Sequence, residues 1–457
     1  MPRQQQLITE FIRTDQVDPS QQLLSKHQKM AGNPFRFLRG SSGLFYADIH
    51  AKVLKIPEPL LTEVPLTTVM GDCHVSNFGF FTEDGSYGER VIFAPNDFDD
   101  ACIGPAAWDI SRFIVSLLLA ADYCQGLKKG QFSNPELENL AKLQVVTTKQ
   151  AEVAALEFTE AYLECCRKVA ADPEFRFTTQ DDFPKSHILK PFLKKAIKRS
   201  AAGGDFLRKS TLAKSIELGQ LPLQFKQDAN KFSRLDPDRY AQIKDAFAPY
   251  VHDEILDIVT RHGAGTGSLN MQRYYLLVGP AAFGSNAELP LCQVVEVKQQ
   301  RRSAPLFFFP DLSPVNRLND AHLTVDCQRL MQRRPDSVLD EVQFEGAHYL
   351  VRSLHHANVD VDPEDVCLHS EDPGLALRQF ANACGHALAL AHNRADRRSN
   401  RFARQMLAVM AEQQHPLLQA CQQYAEQQKQ DCQLLATMLA EQGGSASSDV
   451  KNGIETA

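Results

Sequence analysis

Long apolar runs are what this chain most plainly lacks. No stretch approaches the ~20 apolar residues that span a bilayer. The start, M-P-R-Q-Q-Q-L-I-T-E-F-I-R, has no apolar core of the kind a secretory leader needs. A membrane span is therefore not expected, and a cytoplasmic location is. The eleven cysteines include no C-x-x-C and one adjacent pair, Cys165-Cys166. An odd, scattered set argues for reduced thiols over a disulfide framework, and the missing ligand pairs argue against structural zinc. An excess of positive charge is missing too: the net charge is -7 over 457 residues, which gives no sign of a nucleic-acid partner. No internal repeat, no G-K-[ST] of a Walker A loop and no G-N-H-[DE] of a metallophosphoesterase occurs.

What is present is the composition of an ordinary globular protein, 43% hydrophobic and 23% charged. The length predicts two lobes or domains. Residues 1–32 read as a polar helical arm, and 33–260 as a mainly helical lobe with helical spacing over 107–123, 133–170 and 185–260. From 261 to 360 the character changes to β-rich, with strands at 273–278 and 291–298, a helix at 314–334 and a strand pair ending at 348–354. Helices at 374–395 and 400–442 complete the helical lobe within 361–442, and 443–457 reads as a disordered tail.

The densest chemistry lies between Val69 and Asp109. An apolar run delivers Asp72 into the polar turn G-D-C-H-V-S-N, which ends at Asn77, and a second delivers Asp97 at the head of D-F-D-D. Phosphoryl transfer to a hydroxyl needs these parts: a carboxylate near the acceptor, and a carboxamide with a second carboxylate for magnesium. Asp and Asn also cap turns after strands, but three together at this spacing favour chemistry. The Asp-to-Asn interval equals that of the protein-kinase catalytic loop, and Asp97-Phe98 stands where D-F-G would.

The segment D-F-D-D-A-C-I-G-P-A-A-W-D-I resembles the D-W-E-D-A-G-x-G-D-P-x-Y-D-L segment of aminoglycoside and choline phosphotransferases, and G-D-C-H-V-S-N resembles their H-G-D-L-H-x-x-N. The resemblance implies Asp72 as catalytic base, Asn77 and Asp97 as magnesium ligands, and Asp109 as a brace of the catalytic loop from a helix start. His74 matches the second histidine, which shapes the loop, with Asp99 in support. Met70 stands where those enzymes usually carry their first histidine.

A second constellation follows downstream. Gly263, Gly265, Thr266, Gly267 and Ser268 form a glycine-rich turn ahead of a strand, and V-E-V-K ends at Lys298. Such a turn lets backbone N–H groups approach phosphates, and V-E-V-K resembles the kinase V-A-I-K, whose lysine holds the α/β-phosphates. A plain hairpin with a surface lysine is the alternative. Asp326 is the expected acidic partner of Lys298, with Glu296 and Asp320 as alternatives. The glycine loop and lysine follow the catalytic loop here, whereas in kinases they precede it. A circular permutation reconciles the order, and the helix A-L-A-L-A-H-N-R-A-D, with His392, would then lie beside Asp72. Ordinary core is the other reading of that helix.

N-P-F-R-F-L-R-G (33–40), G-D-C-H-V-S-N-F-G and N-D-F-D-D together resemble the bacterial DUF2252 family over roughly residues 30–400, with Q-R-L-M-Q (328–332) matching well and Y-L-V-R-S-L (349–354) in part. Arg39 and Arg352 stand in these motifs and could meet phosphate or substrate, or form structural ion pairs. The expected fold is α+β, a kinase-like two-lobe fold in circularly permuted order. The expected activity is an ATP-dependent phosphotransferase using Mg²⁺ or Mn²⁺ on a hydroxyl acceptor, small molecule or protein. Nucleotidyl transfer on the same parts, a nucleotide-binding pseudokinase, and a metallophosphoesterase built on Asp72, His74, Asp97, Asp99 and Asp100 are the competing readings.

Overall fold

The computed structural model describes residues 2–22, 24–262, 271–396 and 399–452. The glycine-rich stretch from Gly263 to Ser268 and residues 453–457 of the expected tail lie outside them. The fold is mixed α+β.

Alternation in Q-V-V-E-V-K-Q decides how the main sheet is used. Successive side chains of a strand point to opposite faces, so Val295 and Val297 share one face, and Glu296 and Lys298 the other. The strand Gln293–Gln299 sits inside a six-stranded sheet of order Asp340–Phe344, Ala347–Ser353, Gln293–Gln299, Arg273–Gly279, Glu254–Arg261, Phe232–Arg234. Every neighbouring pair is antiparallel. Register places Lys298 opposite Arg273, and Glu296 opposite both Arg352 and Tyr275. One face packs Val295, Val297, Leu276 and Val351 with Ile243 and Phe247 of the helix Pro237–Phe247. The other carries a file of charged side chains. The helix Asp320–Met331 connects the Gln293–Gln299 strand to Asp340–Phe344, with Val325 packing on Leu339 and Leu350.

The rest of the core belongs to helices. Ala107–Lys128, Thr148–Ala171, Pro373–Ala395 and Arg401–Asn452 pack together, with Phe113 and Phe158 stacked at 4.1 Å. Gly385 allows the closest crossing: a Cβ there would lie 2.1 Å from the carbonyl oxygen of Phe158. Ala107–Lys128 is long and apolar enough to cross a membrane, but most of it is buried inside the fold. Its apolar surface is spent on the core.

Two small β units join helices to sheet. Thr67–Val69 pairs with Cys102–Gly104, and the hairpin Phe78–Thr82 with Val91–Pro95 takes Val359–Asp360 as its third strand. The chain thus returns from the last sheet strand, Ala347–Ser353, through residues 354–358 to the hairpin that follows Asp72 and Asn77.

Three expectations need correction. The stretch 185–260 is not helical throughout: it holds the strands Phe232–Arg234 and Glu254–Arg261 beside its helices. I-L-D-I-V-T is rich in β-branched residues that fit a half-buried sheet. The N-terminal arm is helical, as expected, but not polar throughout, since Leu7, Phe11 and Met30 are buried with Cys432, Leu435 and Met438 of the last helix. Arg3 further donates to Asp48 at 2.6 Å and pairs with Asp431. That last helix is drawn to Asn452, past Gly443 where the tail was expected to begin.

Candidate active site

The turn after Thr67–Val69 is held from several sides. Gly71 has φ +77°, and a Cβ there would fall 1.8 Å from the carbonyl oxygen of Asp100. Glycine is the residue that tolerates both conditions. Asp109, fully buried in the first turn of Ala107–Lys128, accepts from Met70 N at 2.6 Å and Gly71 N at 3.0 Å. Its Oδ2 lies 3.1 Å from His392 Nε2, and His392 Nδ1 lies 2.8 Å from the Tyr162 hydroxyl. A carboxylate only accepts, so Nε2–H donates to Asp109 and Nδ1 accepts from Tyr162. His392 sits near the end of Pro373–Ala395, and Thr67 Oγ1 also donates to its carbonyl oxygen at 2.8 Å.

Asp72 follows this clamp. Its Oδ1 accepts from Arg112 Nε at 2.6 Å. Arg112 has no exposed surface, donates to Leu38 O at 2.9 Å and packs over the Phe45 ring. Burial pushes the Asp72 carboxyl above its usual range, with Arg112 pulling it back. His74 Nε2 stands 3.7 Å from Asp72 Oδ2. Burial, then the cations Arg39 and Arg112, hold His74 well below the usual imidazole range, so it is neutral. Asn77 Nδ2 donates to Asp72 O at 2.8 Å. The amide end of Asn77 is thereby fixed, and its carboxamide oxygen is left to ligate.

The second turn brings a pair of carboxylates. Asp99 N donates to Asp97 Oδ1 at 3.2 Å. Burial and the neighbouring Asp99 push the Asp97 carboxyl up to about 6, against Lys298 and Arg352. Burial also works to raise Asp99, but Lys298 and Arg352 overcome it and hold that carboxyl well below its ordinary value. Lys298 ion-pairs with Asp99. The lysine's partner is therefore Asp99, not Asp326; the carboxylate comes from the D-F-D-D turn rather than the following helix. Asp320 answers to Arg302, His348 and Arg301 instead. Glu296 accepts from Arg352 Nε at 2.9 Å and meets Arg273 at 3.4 Å. Burial acts to raise Glu296, and the surrounding cations outweigh it.

These groups line two adjoining cavities. A smaller one of about 210 Å³ contains Asp72, Asn77, Asp97, Asp99 and Lys298, and a larger one of about 450 Å³ runs past Phe81, Tyr275, Gln328 and Leu354. Arg39, Asn77, Asp97 and Arg352 line both. Lys298 of the downstream constellation thus meets the D-F-D-D turn, although Asp99 and Lys298 are 199 residues apart in the chain. The glycine-rich turn lies outside the described residues; Met271 and Arg273, which follow it, line the smaller cavity.

The donor set fits a divalent cation. Asp99 Oδ1 is buried with no hydrogen-bond partner, Asp97 is crowded by its neighbour, and Asn77 lines the same cavity. No group of three or more His, Cys, Asp or Glu able to hold a metal occurs among the described residues. Magnesium takes one or two carboxylates together with waters and substrate phosphate oxygens, and Asp97 and Asp99 are the two carboxylates here.

Sequence reasoning missed Arg112, Arg273 and Arg301. The signal for Arg112 is an arginine three residues after Asp109 inside an otherwise apolar helix, since a buried charge needs a buried partner. Arg301 meets Asp100 at 3.0 Å and Ser303 Oγ donates to Asp100 O at 2.6 Å, fastening the D-F-D-D turn to the segment after Lys298.

His356, beside the larger cavity's His355, gives a stability prediction. It is buried edge-on against Phe206, 5.1 Å between centroids. Burial, then His355, lower its pKa to about 4. The unfolded chain binds this proton near pH 6.5 and the folded chain does not, so stability falls as pH drops from about 6.5 toward 4. Urea unfolding at pH 7 and pH 4.5 is expected to show His356→Phe losing about 2 kcal/mol less than wild type over that interval.

No curated protein and no solved structure matches the chain. The model of a family described as "Uncharacterized protein conserved in bacteria (DUF2252)" matches residues 19–437. That stretch takes in every element that lines the two cavities except the first helix, Arg3–Asp15, and the chain belongs to this bacterial family.

Proposed function

We propose that this protein is a kinase-like phosphotransferase in circularly permuted order, moving the terminal phosphoryl group of ATP to a hydroxyl. The observation that carries the reading is the meeting of Asp72, Asn77 and Asp97 with Lys298 in one cavity. Topology supports it. The strand, helix and strand pair around Lys298, the return through 354–358, and the loop–hairpin–carboxylate series after Asp72 are consistent with a kinase-like order of parts. The helix that should lead into the catalytic loop, Pro373–Ala395, comes last in the chain and reaches that loop through His392 and Asp109.

Asp72 orients the acceptor hydroxyl through Oδ2, because Arg112 occupies Oδ1. Lys298, poised on Asp99, holds phosphate oxygens. Asn77, Asp97 and Asp99 would hold magnesium, which when bound neutralises charge on the phosphates. The larger cavity, with Tyr275 and Phe81 in its walls, accommodates the nucleoside. The esterase reading leaves Lys298, ion-paired with Asp99 in the same cavity, without a role.

Calorimetry with Mg-ATP, together with assays for released phosphate and pyrophosphate, tests the reading. Wild type is expected to bind Mg-ATP and release phosphate slowly to water or an adventitious acceptor. Asp72→Ala is expected to bind within about threefold of wild type and lose turnover by about 10³-fold, within the range for a positioned general base. Pyrophosphate instead of phosphate would redirect the reading to nucleotidyl transfer. No binding by wild type would sink it.

A further inference from the structure

We infer that Arg39 is a catalytic residue that clamps the phosphoryl group in transit, an arginine finger supplied within the chain; this rests on the phosphotransferase reading above. The cations around the two cavities divide sharply. Lys26 meets Asp15 at 2.6 Å, Arg273 and Arg352 meet Glu296, Arg301 meets Asp100, Lys298 meets Asp99 and buried Arg112 meets Asp72. Among the described residues Arg39 has no carboxylate within ion-pair distance, although Asp360 and Asp362 across the larger cavity feel its charge; it packs over the Phe35 ring at 5.8 Å. Its guanidinium therefore keeps its donors for something else.

Its position says what that is. Arg39 lines both cavities, in company with Asn77, Asp97 and Arg352. These four mark the junction where a nucleotide in the larger cavity would present its phosphates to Asp72 in the smaller one. Arg39 is close enough for its charge to bear on both Asp72 and His74. The helix Pro34–Gly40 is also tied to the carboxylate: Arg112 donates to Leu38 O at 2.9 Å and to Asp72 Oδ1 at 2.6 Å. One buried side chain thus fixes the base and the residue before Arg39 in a single frame. A planar fork of donors matches phosphate oxygens in two bonds.

In the step, the bond between the terminal phosphorus and the bridging oxygen breaks, and ADP leaves with that electron pair. The acceptor oxygen forms the new bond to phosphorus, and its proton passes to Asp72. In between, the three equatorial oxygens flatten into a plane and charge builds on the leaving oxygen, and Arg39 meets that planar group with its fork of donors. An interaction made chiefly at that point raises turnover more than ground-state affinity.

The test uses the full chain, Mg-ADP, and Mg-ADP with aluminium fluoride, a mimic of the phosphoryl group in transit. Wild type is expected to bind Mg-ADP about 100-fold or more tightly once aluminium fluoride is added, in the range of transition-state analogues. Arg39→Ala should bind Mg-ADP alone within about threefold of wild type, lose most of the tightening, and lose about 10³-fold in ATP turnover. Arg39→Lys should recover part of both, and unfolding curves of the two variants check that the fold is kept; if alanine unfolds the protein, the lysine variant and Arg39→Gln carry the comparison. Full tightening in Arg39→Ala overturns the inference. So does an equal loss of affinity for Mg-ADP alone, or wild-type binding of Mg-ADP without tightening. Failure of wild type to bind any nucleotide sinks the phosphotransferase reading first and the clamp with it.

Discussion

Replacing Asp109 by alanine is expected to cost the fold about 3–5 kcal/mol and to abolish any turnover that depends on Asp72. The carboxylate has no exposed surface and serves three donors: the amides of Met70 and Gly71 and the ring of His392. Alanine leaves all three buried without a partner, at about 1–3 kcal/mol for each buried polar group. Water cannot enter cheaply, because Asp109, His392 and the neighbouring Met70 and Trp108 are all buried. The two amides lie on the residues immediately before Asp72, so their release frees the loop that aims the carboxylate. Asp109→Asn keeps the shape and one acceptor oxygen but turns a donor toward a donor, and should fall between alanine and wild type. Urea unfolding followed by intrinsic fluorescence, beside phosphate release, checks both halves. A variant as stable as wild type would show that the clamp is not needed.

Lys298→Met is expected to weaken Mg-ATP binding by about 10- to 100-fold, the equivalent of one lost charge-assisted hydrogen bond. It should also cost about 2 kcal/mol of stability, less than the 3–5 kcal/mol of a fully buried pair, because the Asp99 side chain is 25% exposed. The second loss arises from the carboxylates. Lys298 is the foremost of the cations that hold Asp99 below its ordinary pKa beside Asp97, with Arg352 behind it, and without it two neighbouring carboxylates compete for one buried space. Adding Asp99→Asn to Lys298→Met removes one of those charges. The double variant should regain most of the stability and none of the nucleotide affinity. A double variant that regained binding would mean that Lys298 serves the fold alone.

The arrangement of this site was legible in the sequence to an uneven degree. The spacing of Asp72 and Asn77 and the doublet after Asp97 are local, fixed by short turns, and local patterns survive folding unchanged. The meeting of Lys298 with that turn could be expected only through resemblance, since nothing in a strand pattern says which turn it will face. The lysine's partner was misassigned for the same reason. Asp326 is near in sequence, whereas Asp99 arrives through the six-stranded sheet and the D-F-D-D turn, which Arg301 and Ser303 hold together. In Glu254–Arg261 apolar residues in a short run satisfy either period, and the neighbouring strand Arg273–Gly279 decides the matter. Arg112 went unread because it sits in a helix whose pattern speaks only of core.

The bond between His392 and Asp109 sets a condition on how this protein is made. The two residues are 283 positions apart, and Thr67 reaches the His392 carbonyl across 325. A ribosome will have released Asp72, Asn77, Asp97 and Lys298 well before the helix that steadies their loop has emerged. Until then Met70, Gly71 and Asp109 are on hand without their last partner, and the apolar faces of Ala107–Lys128 and Thr148–Ala171 wait for Pro373–Ala395 to cover them. Contacts so distant in sequence close slowly, and the waiting surface is the kind that chaperones hold. The loop that carries Asp72 therefore gains its last support only after residue 392 has been made.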